Sequence, residues 1–345
     1  MKAMILTAPG QPFELCHVPD PIPNKDEAIA RVISCGAGLT TQHIRAGRTK
    51  INYPRIIGHE ITAEIVALGS HVQNLCVGDP VTAYYYLTCG KCYWCLNDRE
   101  TLCDNFSGYV GKTIDGGYAE FIKLPARNFL KLPKHLDYKK YAPELGVITD
   151  AIATPIKVIK KTRIKPNDKI AVIGAGGGLG LHMVIASRWA KANVIAVDIS
   201  DQKLNVCKGV GAYEIVNSLN TNLTDRLLEL TKGEGVDVVI DFVASDITLD
   251  GCIRSLRKGG RLAILGGGGV AKPVGISGEW IKSREIEILG SKYATKNEVL
   301  EAIDIVSRGE IWPKVTETSS LKDAEFMHGR IESGLVTGRA AIIIE

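Results

Sequence analysis

Four cysteines stand within a 15-residue stretch, Cys89, Cys92, Cys95 and Cys103, separated by two, two and seven residues. Thiolates this close in sequence can converge on one ion, and four sulfurs at tetrahedral reach are the donor set of a structural Zn²⁺. An iron–sulfur or redox cluster draws on the same residue type, but the run lacks the Cys-Pro ending of the bacterial ferredoxin pattern. A four-sulfur zinc site is closed, so it staples a lobe and leaves the chemistry to other residues.

A second pattern is suited to phosphate. Residues 174–180 read Gly174-Ala-Gly176-Gly177-Gly178-Leu179-Gly180, after an apolar strand-like run and before a helix-like one. Glycines permit a tight turn and let backbone N–H groups approach a pyrophosphate at a helix N-terminus. Asp198 follows 18 residues after Gly180, at the end of the next apolar run. A carboxylate there accepts both ribose hydroxyls of NAD and repels the extra phosphate of NADP. The expected cofactor is NAD, held by this loop and Asp198 with Lys203 nearby. A plain turn or cap would also use an aspartate, but the spacing and the strand end favour the ribose. A further glycine run, 266–269, also follows a strand and is expected either to pass the nicotinamide or to form a plain loop.

Two textures of chain position these residues. The first ~130 residues read as short strands broken by Pro, Gly and Asp, for example 27–33, 60–68 and 81–86. From Asp168 onward, strands at 169–173, 193–197, 236–240 and 261–265 alternate with helix-compatible segments at 181–190, 224–232 and 248–258. That alternation predicts a parallel sheet with crossovers, hence a doubly wound α/β domain. The tail has a helical stretch, 296–308, and ends on an apolar run, 340–344, expected to rejoin the first domain as a strand.

At 345 residues the chain is long enough for two domains. Hydrophobic residues at 45% and charged residues at 23% are ordinary for a globular protein. The net charge of +4 comes from intermixed signs with no basic block, so nucleic acid is not an expected partner. No apolar run approaches the ~20 residues that span a bilayer. Nine cysteines, an odd number, without an export signal imply reduced thiols in a cytoplasm.

Taken together, these features resemble the zinc-dependent medium-chain alcohol dehydrogenases over essentially the whole chain. The resemblance rests on Gly58-His59-Glu60, the four-cysteine lobe, Gly78-Asp79, Thr149-Asp150-Ala151-Ile152-Ala153-Thr154, the glycine loop, Asp198 and Gly338-Arg339. It implies an α/β protein, with a GroES-like β-rich catalytic domain at 1–150 carrying the zinc lobe at 89–103. A Rossmann NAD-binding domain at 151–292 follows, and 293–345 return to the first. It also implies that His59 binds a catalytic zinc, Glu60 stands beside it and Asp150 supplies another ligand. Thr154 would touch nicotinamide, and Arg339 would face the pyrophosphate. A homodimer or homotetramer is implied by the stretch 259–293, through which family members pair.

The sequence departs from the family at the first zinc ligand. The family reads Cys-x-Ser/Thr-Asp-x-His; here the segment is Gly38-Leu39-Thr40-Thr41-Gln42-His43. Gly38 stands where the ligating cysteine belongs, and Thr41 where an aspartate orients the ligating histidine. Thr40 and His43 match the family's hydroxyl-to-histidine proton relay. Cys35, three residues upstream, is not expected to substitute. Two centres are then open: a weak, hard site of His59, Glu60 and Asp150, or a metal-free acid–base relay of Asp150, His59 and Thr40.

The expected activity is NAD-dependent interconversion of a small or medium alcohol and its carbonyl, with an altered or absent catalytic zinc. One alternative is zinc-independent reduction of an activated C=C bond in an enone or enoyl thioester. Another is a non-catalytic NAD-binding role. Tyr53, Trp94 and Trp280 are aromatic candidates for the pocket, for an interface or for core packing.

Overall fold

A computed structural model describes residues 1–266 and 275–344. Most of the glycine run 266–269, and part of 259–293, lie outside the described residues. The chain divides into two compact units, Met1–Ala153 with Ala294–Glu345, and Thr154–Tyr293.

In the first unit a mixed sheet is built around the long strand Glu27–Ala37. Ile61–Leu68 and Phe121–Pro125 pair with it antiparallel, and so does the closing strand Arg339–Ile343. The last of these also runs parallel to Val315–Ser320. Glu27–Ala37 outruns the 27–33 expected from its letters because these partners hold its small, turn-prone end, Ser34 to Gly36, in an extended form. The expected strand 81–86 is two pieces, Pro80–Ala83 and Tyr86–Leu87, the second paired with Gly108–Tyr109. Behind the sheet, Ile57, Ile61, Ile65, Leu124 and Tyr118 are fully buried. At about 25 cal/mol per Å² of apolar surface, such a core fixes the register of the strands it covers.

The second unit is a six-stranded parallel sheet among the described residues. Its order is Glu214–Asn217, Asn193–Asp198, Lys169–Ile173, Val236–Asp241, Leu256–Ile264 and Glu287–Gly290. Its central strands are buried on both faces, as helices covering both sides require. Among the described residues, no helix is long and apolar enough to cross a membrane.

Candidate active site and metal centre

Just after the strand Glu27–Ala37 the backbone stays extended at Gly38, with φ −155° and ψ −173°, a conformation open to any residue. The space beside it is occupied by a neighbour. A β-carbon on Gly38 would fall 2.1 Å from Nη1 of Arg339. Two residues back on the same face, a β-carbon on Gly36 would fall 2.3 Å from Oε2 of Glu60. The closing strand pairs Ala340 with Ala37, and one further step of that register sets Arg339 beside Gly38.

The Arg339 guanidinium lies between two carboxyl groups. Nη2 donates to Asp150 Oδ2 at 2.6 Å and is 3.1 Å from Glu60 Oε1. Arg339 is 4%, Asp150 6% and Glu60 2% exposed, so the whole cluster is interior. Asp150 is carried by a π-helical turn, Ile148–Ile152, inserted between the helices Ala142–Val147 and Ala153–Thr162. Such turns widen a helix locally and recur at functional sites.

Burial dominates the electrostatics here. It pushes the Glu60 carboxyl up to about 8 against the opposing pull of Arg339. It pulls His59 down to about 4, so that imidazole is neutral at pH 7. Arg339 is held charged: the two carboxyl groups outweigh the burial that disfavours its cation. The His59 ring packs on Tyr85, with ring centroids 4.3 Å apart.

A zinc at this centre would need converging donors. Among the described residues, the four cysteines are the one group of three or more His, Cys, Asp or Glu whose ligand atoms lie within 4.8 Å of each other. His59, Glu60 and Asp150 form no such group, and Gly38 offers no donor. A guanidinium has only donor N–H groups and cannot ligate a metal. These residues do not fit a catalytic zinc.

Thr40 and His43 ride on the short helix Leu39–Arg45, one turn apart and half-buried. Burial, then the nearby Arg48, lower the pKa of His43, leaving it a neutral base near pH 7. Thr41 caps the helix. Its Oγ1 donates to the Gly38 carbonyl at 2.9 Å and accepts from the Gly38 N–H at 3.1 Å. The hydroxyl at the position of the family's orienting aspartate is thus engaged by its own helix start.

The cysteine lobe fits a structural zinc. Sγ separations are 3.5 Å for Cys92–Cys95, 3.8 Å for Cys92–Cys103 and 3.9 Å for Cys89–Cys95. Four sulfurs about 2.3 Å from one ion at tetrahedral angles stand about 3.8 Å apart. The N–H of Lys91 points to Cys89 Sγ, and that of Cys89 to Cys103 Sγ.

In the second unit the helix Gly178–Trp189 starts inside the glycine loop, earlier than the expected 181, with Gly177 as its N-cap. Gly174 has φ +75°, open to glycine at little cost. A β-carbon on Gly180 would strike the Gly174 carbonyl at 2.1 Å, and one on Gly176 would strike Lys203 Cβ at 2.4 Å. Asp198 closes its strand. Its carboxylate accepts from the N–H groups of Gly176 at 2.8 Å, Ile199 at 2.8 Å and Ser200 at 3.2 Å. Leu179 lies in the first turn of the Gly178–Trp189 helix, and Thr154 is buried in the helix Ala153–Thr162. The loop, the helix N-terminus and the strand-end carboxylate fit NAD.

Sequence reasoning missed the aromatic wall. Tyr85, Tyr86, Tyr109 and Phe106 pack on one another, and Tyr85 faces His59. Trp94 instead bonds Asp104 and Trp280 stacks with Arg284. The tandem tyrosines at 84–86 were the available signal.

Residues 24–134 match the family model described as alcohol dehydrogenase GroES-like domain, and 178–308 that of zinc-binding dehydrogenase. An alcohol dehydrogenase of Geobacillus stearothermophilus is 32% identical over 99% of this chain and 98% of its own. An acryloyl-coenzyme A reductase of Sulfurisphaera tokodaii is 27% identical over 99% of each chain. A solved NAD-dependent alcohol dehydrogenase superposes with a TM-score of 0.90 at 28% identity, covering 100% of both chains.

Proposed function

Because the chain belongs to the zinc-type medium-chain alcohol dehydrogenase family, we propose that this NAD-dependent oxidoreductase interconverts a small or medium alcohol and its aldehyde or ketone, with its catalytic zinc altered or absent. Bound NAD supplies the hydride acceptor, and its reduced form the donor. The loop amides from Gly174 to Gly180 hold the pyrophosphate, Asp198 and Lys203 the ribose, and Thr154 contacts the nicotinamide.

Hydride leaves a carbinol carbon readily only as the hydroxyl proton also departs. Thr40 accepts the hydrogen bond of the substrate hydroxyl and passes the proton to His43, a neutral base one turn along. In reduction the same pair returns the proton to the carbonyl oxygen. The observation that carries this reading is that the helix bearing Thr40 and His43 starts at Gly38, against which the buried Arg339–Asp150–Glu60 cluster packs. The partner is a small molecule; a reducing cytoplasm and a homodimer or homotetramer complete the proposal.

A second reading is favoured by Gly38 and by the relative named acryloyl-coenzyme A reductase. There hydride adds to the β-carbon of an enone or enoyl thioester and a proton to the α-carbon, with no Lewis acid needed. Scanning NADH oxidation against matched aldehydes, ketones, enones and enoyl thioesters separates the two. Turnover with aldehydes or ketones supports the alcohol reading, and turnover confined to the unsaturated substrates replaces it.

A further inference from the structure

We propose that Glu332 is a positioning residue of the proton relay: its carboxylate, clamped by Gln42 and Arg48, is the fixed negative charge that favours the proton His43 takes from Thr40. This rests on the relay of Thr40 and His43 proposed above and names what sets the strength of its base.

The clamp joins two distant parts of the chain. The helix Ala324–Glu332 packs on the relay helix Leu39–Arg45, where Arg45 Nε also donates to Glu325 at 3.2 Å. Glu332 Oε2 accepts from Gln42 Nε2 at 2.7 Å and from Arg48 Nη2 at 2.6 Å, and Oε1 accepts from Arg48 Nη1 at 2.7 Å. A forked pair of this kind fixes where a carboxylate sits as well as its charge. The N–H groups of Arg48 and Thr49 both donate to the His43 carbonyl, at 2.9 and 3.1 Å, which ties the arginine to the base.

Behind Gln42 the hydrogen bonds admit one direction. An ionised carboxylate only accepts, so Gln42 turns its amide N–H groups to Glu332 and its carbonyl oxygen to His328. His328 Nδ1 therefore donates, at 2.7 Å, and its Nε2 accepts from the Tyr118 hydroxyl at 2.9 Å. Gln42, His328 and Tyr118 are all fully buried, and burial pulls the His328 imidazole down to about 3, so it stays neutral. Every link is satisfied in that one pattern, and a buried network so satisfied is a rigid mount for the residue beside His43.

The charges around His43 then have separate jobs. Arg48, and after it Gln42, hold the Glu332 carboxyl down to about 2, so it is negative wherever an imidazole titrates. Burial disfavours the His43 cation most, and Arg48 and Lys112, from the turn after Tyr109, disfavour it further. Glu332 acts the other way. Without it, the proton leaving the substrate would arrive beside two cations in a half-buried site.

The test is an NMR titration of His43 in the full-length protein without substrate, its signal picked out from those of the seven histidines by its loss in His43→Asn. Glu332→Gln should move the His43 titration to lower pH, and Arg48→Gln should move it to higher pH. Glu332→Asp keeps the charge and should fall between Glu332→Gln and the unmodified chain. The Arg48 and Glu332 side chains are each 44% exposed, so neither glutamine leaves a hole in a core. A clamp with a merely structural role would break alike in the two glutamine variants and shift His43 the same way in both. Shifts in the same direction, or none, would overturn the proposal. The acid limb of kcat against pH should move in the same opposed order. Opposed His43 shifts with an acid limb that stays fixed would support the clamp and discard the relay, so the two fail separately.

Discussion

Nη1 of Arg339 stands where a side chain on Gly38 would have to begin, 2.1 Å from the β-carbon such a residue would carry. The closing strand thereby supplies charge to a centre whose first zinc-ligand position carries no side chain.

Removing the guanidinium strands two buried carboxyl groups. Arg339→Ala should cost about 3–5 kcal/mol of stability, the range for breaking a buried ion pair from one side. Denaturant unfolding checks this. Adding Asp150→Asn to that variant should recover part of the loss.

The pH dependence of stability should carry the mark of Glu60. Its folded pKa of about 8 lies above the ordinary 4.5. The folded state thus holds a proton that the unfolded chain releases. That contribution is fully present below about 4.5 and is lost as pH rises through about 8. Glu60→Gln should flatten the decline between those limits in unfolding curves taken across that range. His59 has the opposite sign: its folded pKa of about 4 lies below 6.5. Its contribution is present above 6.5 and lost as pH falls through 4.

Cys92→Ser should abolish the structural zinc, taking metal content from one ion per chain to none. Because the ion closes the lobe at residues 89–103, thermal stability should drop with it.

Asp198→Ala should weaken NAD binding by about 1–3 kcal/mol, roughly 5–150-fold in Kd, the loss of charge-assisted hydrogen bonds. Fluorescence titration with NADH measures it. A preference of the unmodified protein for NADP would contradict the role given to Asp198.

Thr40→Val should lower kcat by about 10²–10⁴-fold, the usual worth of a positioned proton transfer, while NAD affinity holds. An unchanged kcat would remove Thr40 from the relay.

Much of the fold was legible because its signals are local. Strand–helix alternation from residue 169 announces the parallel sheet, and cysteine spacing announces the lobe. The position of Arg339 was not legible. It depends on a strand register between two ends of the chain, and the resemblance alone implies a role facing the pyrophosphate. Gly36 and Gly38 were the trace of it, but a glycine in a sequence does not say which neighbour needs the room. The π-helical turn under Asp150 is likewise set by packing, as no residue from Ile148 to Ile152 favours it over an α-helical turn. The cap formed by Thr41 was masked by its alignment with a residue of another role.

The most direct measurement follows carbonyl reduction with NADH as zinc is added stepwise to metal-depleted, refolded protein. The account predicts that the rate climbs only until the first equivalent has filled the cysteine lobe and is flat thereafter. A rate that rises with a second equivalent would show a working metal at the centre where Arg339 sits.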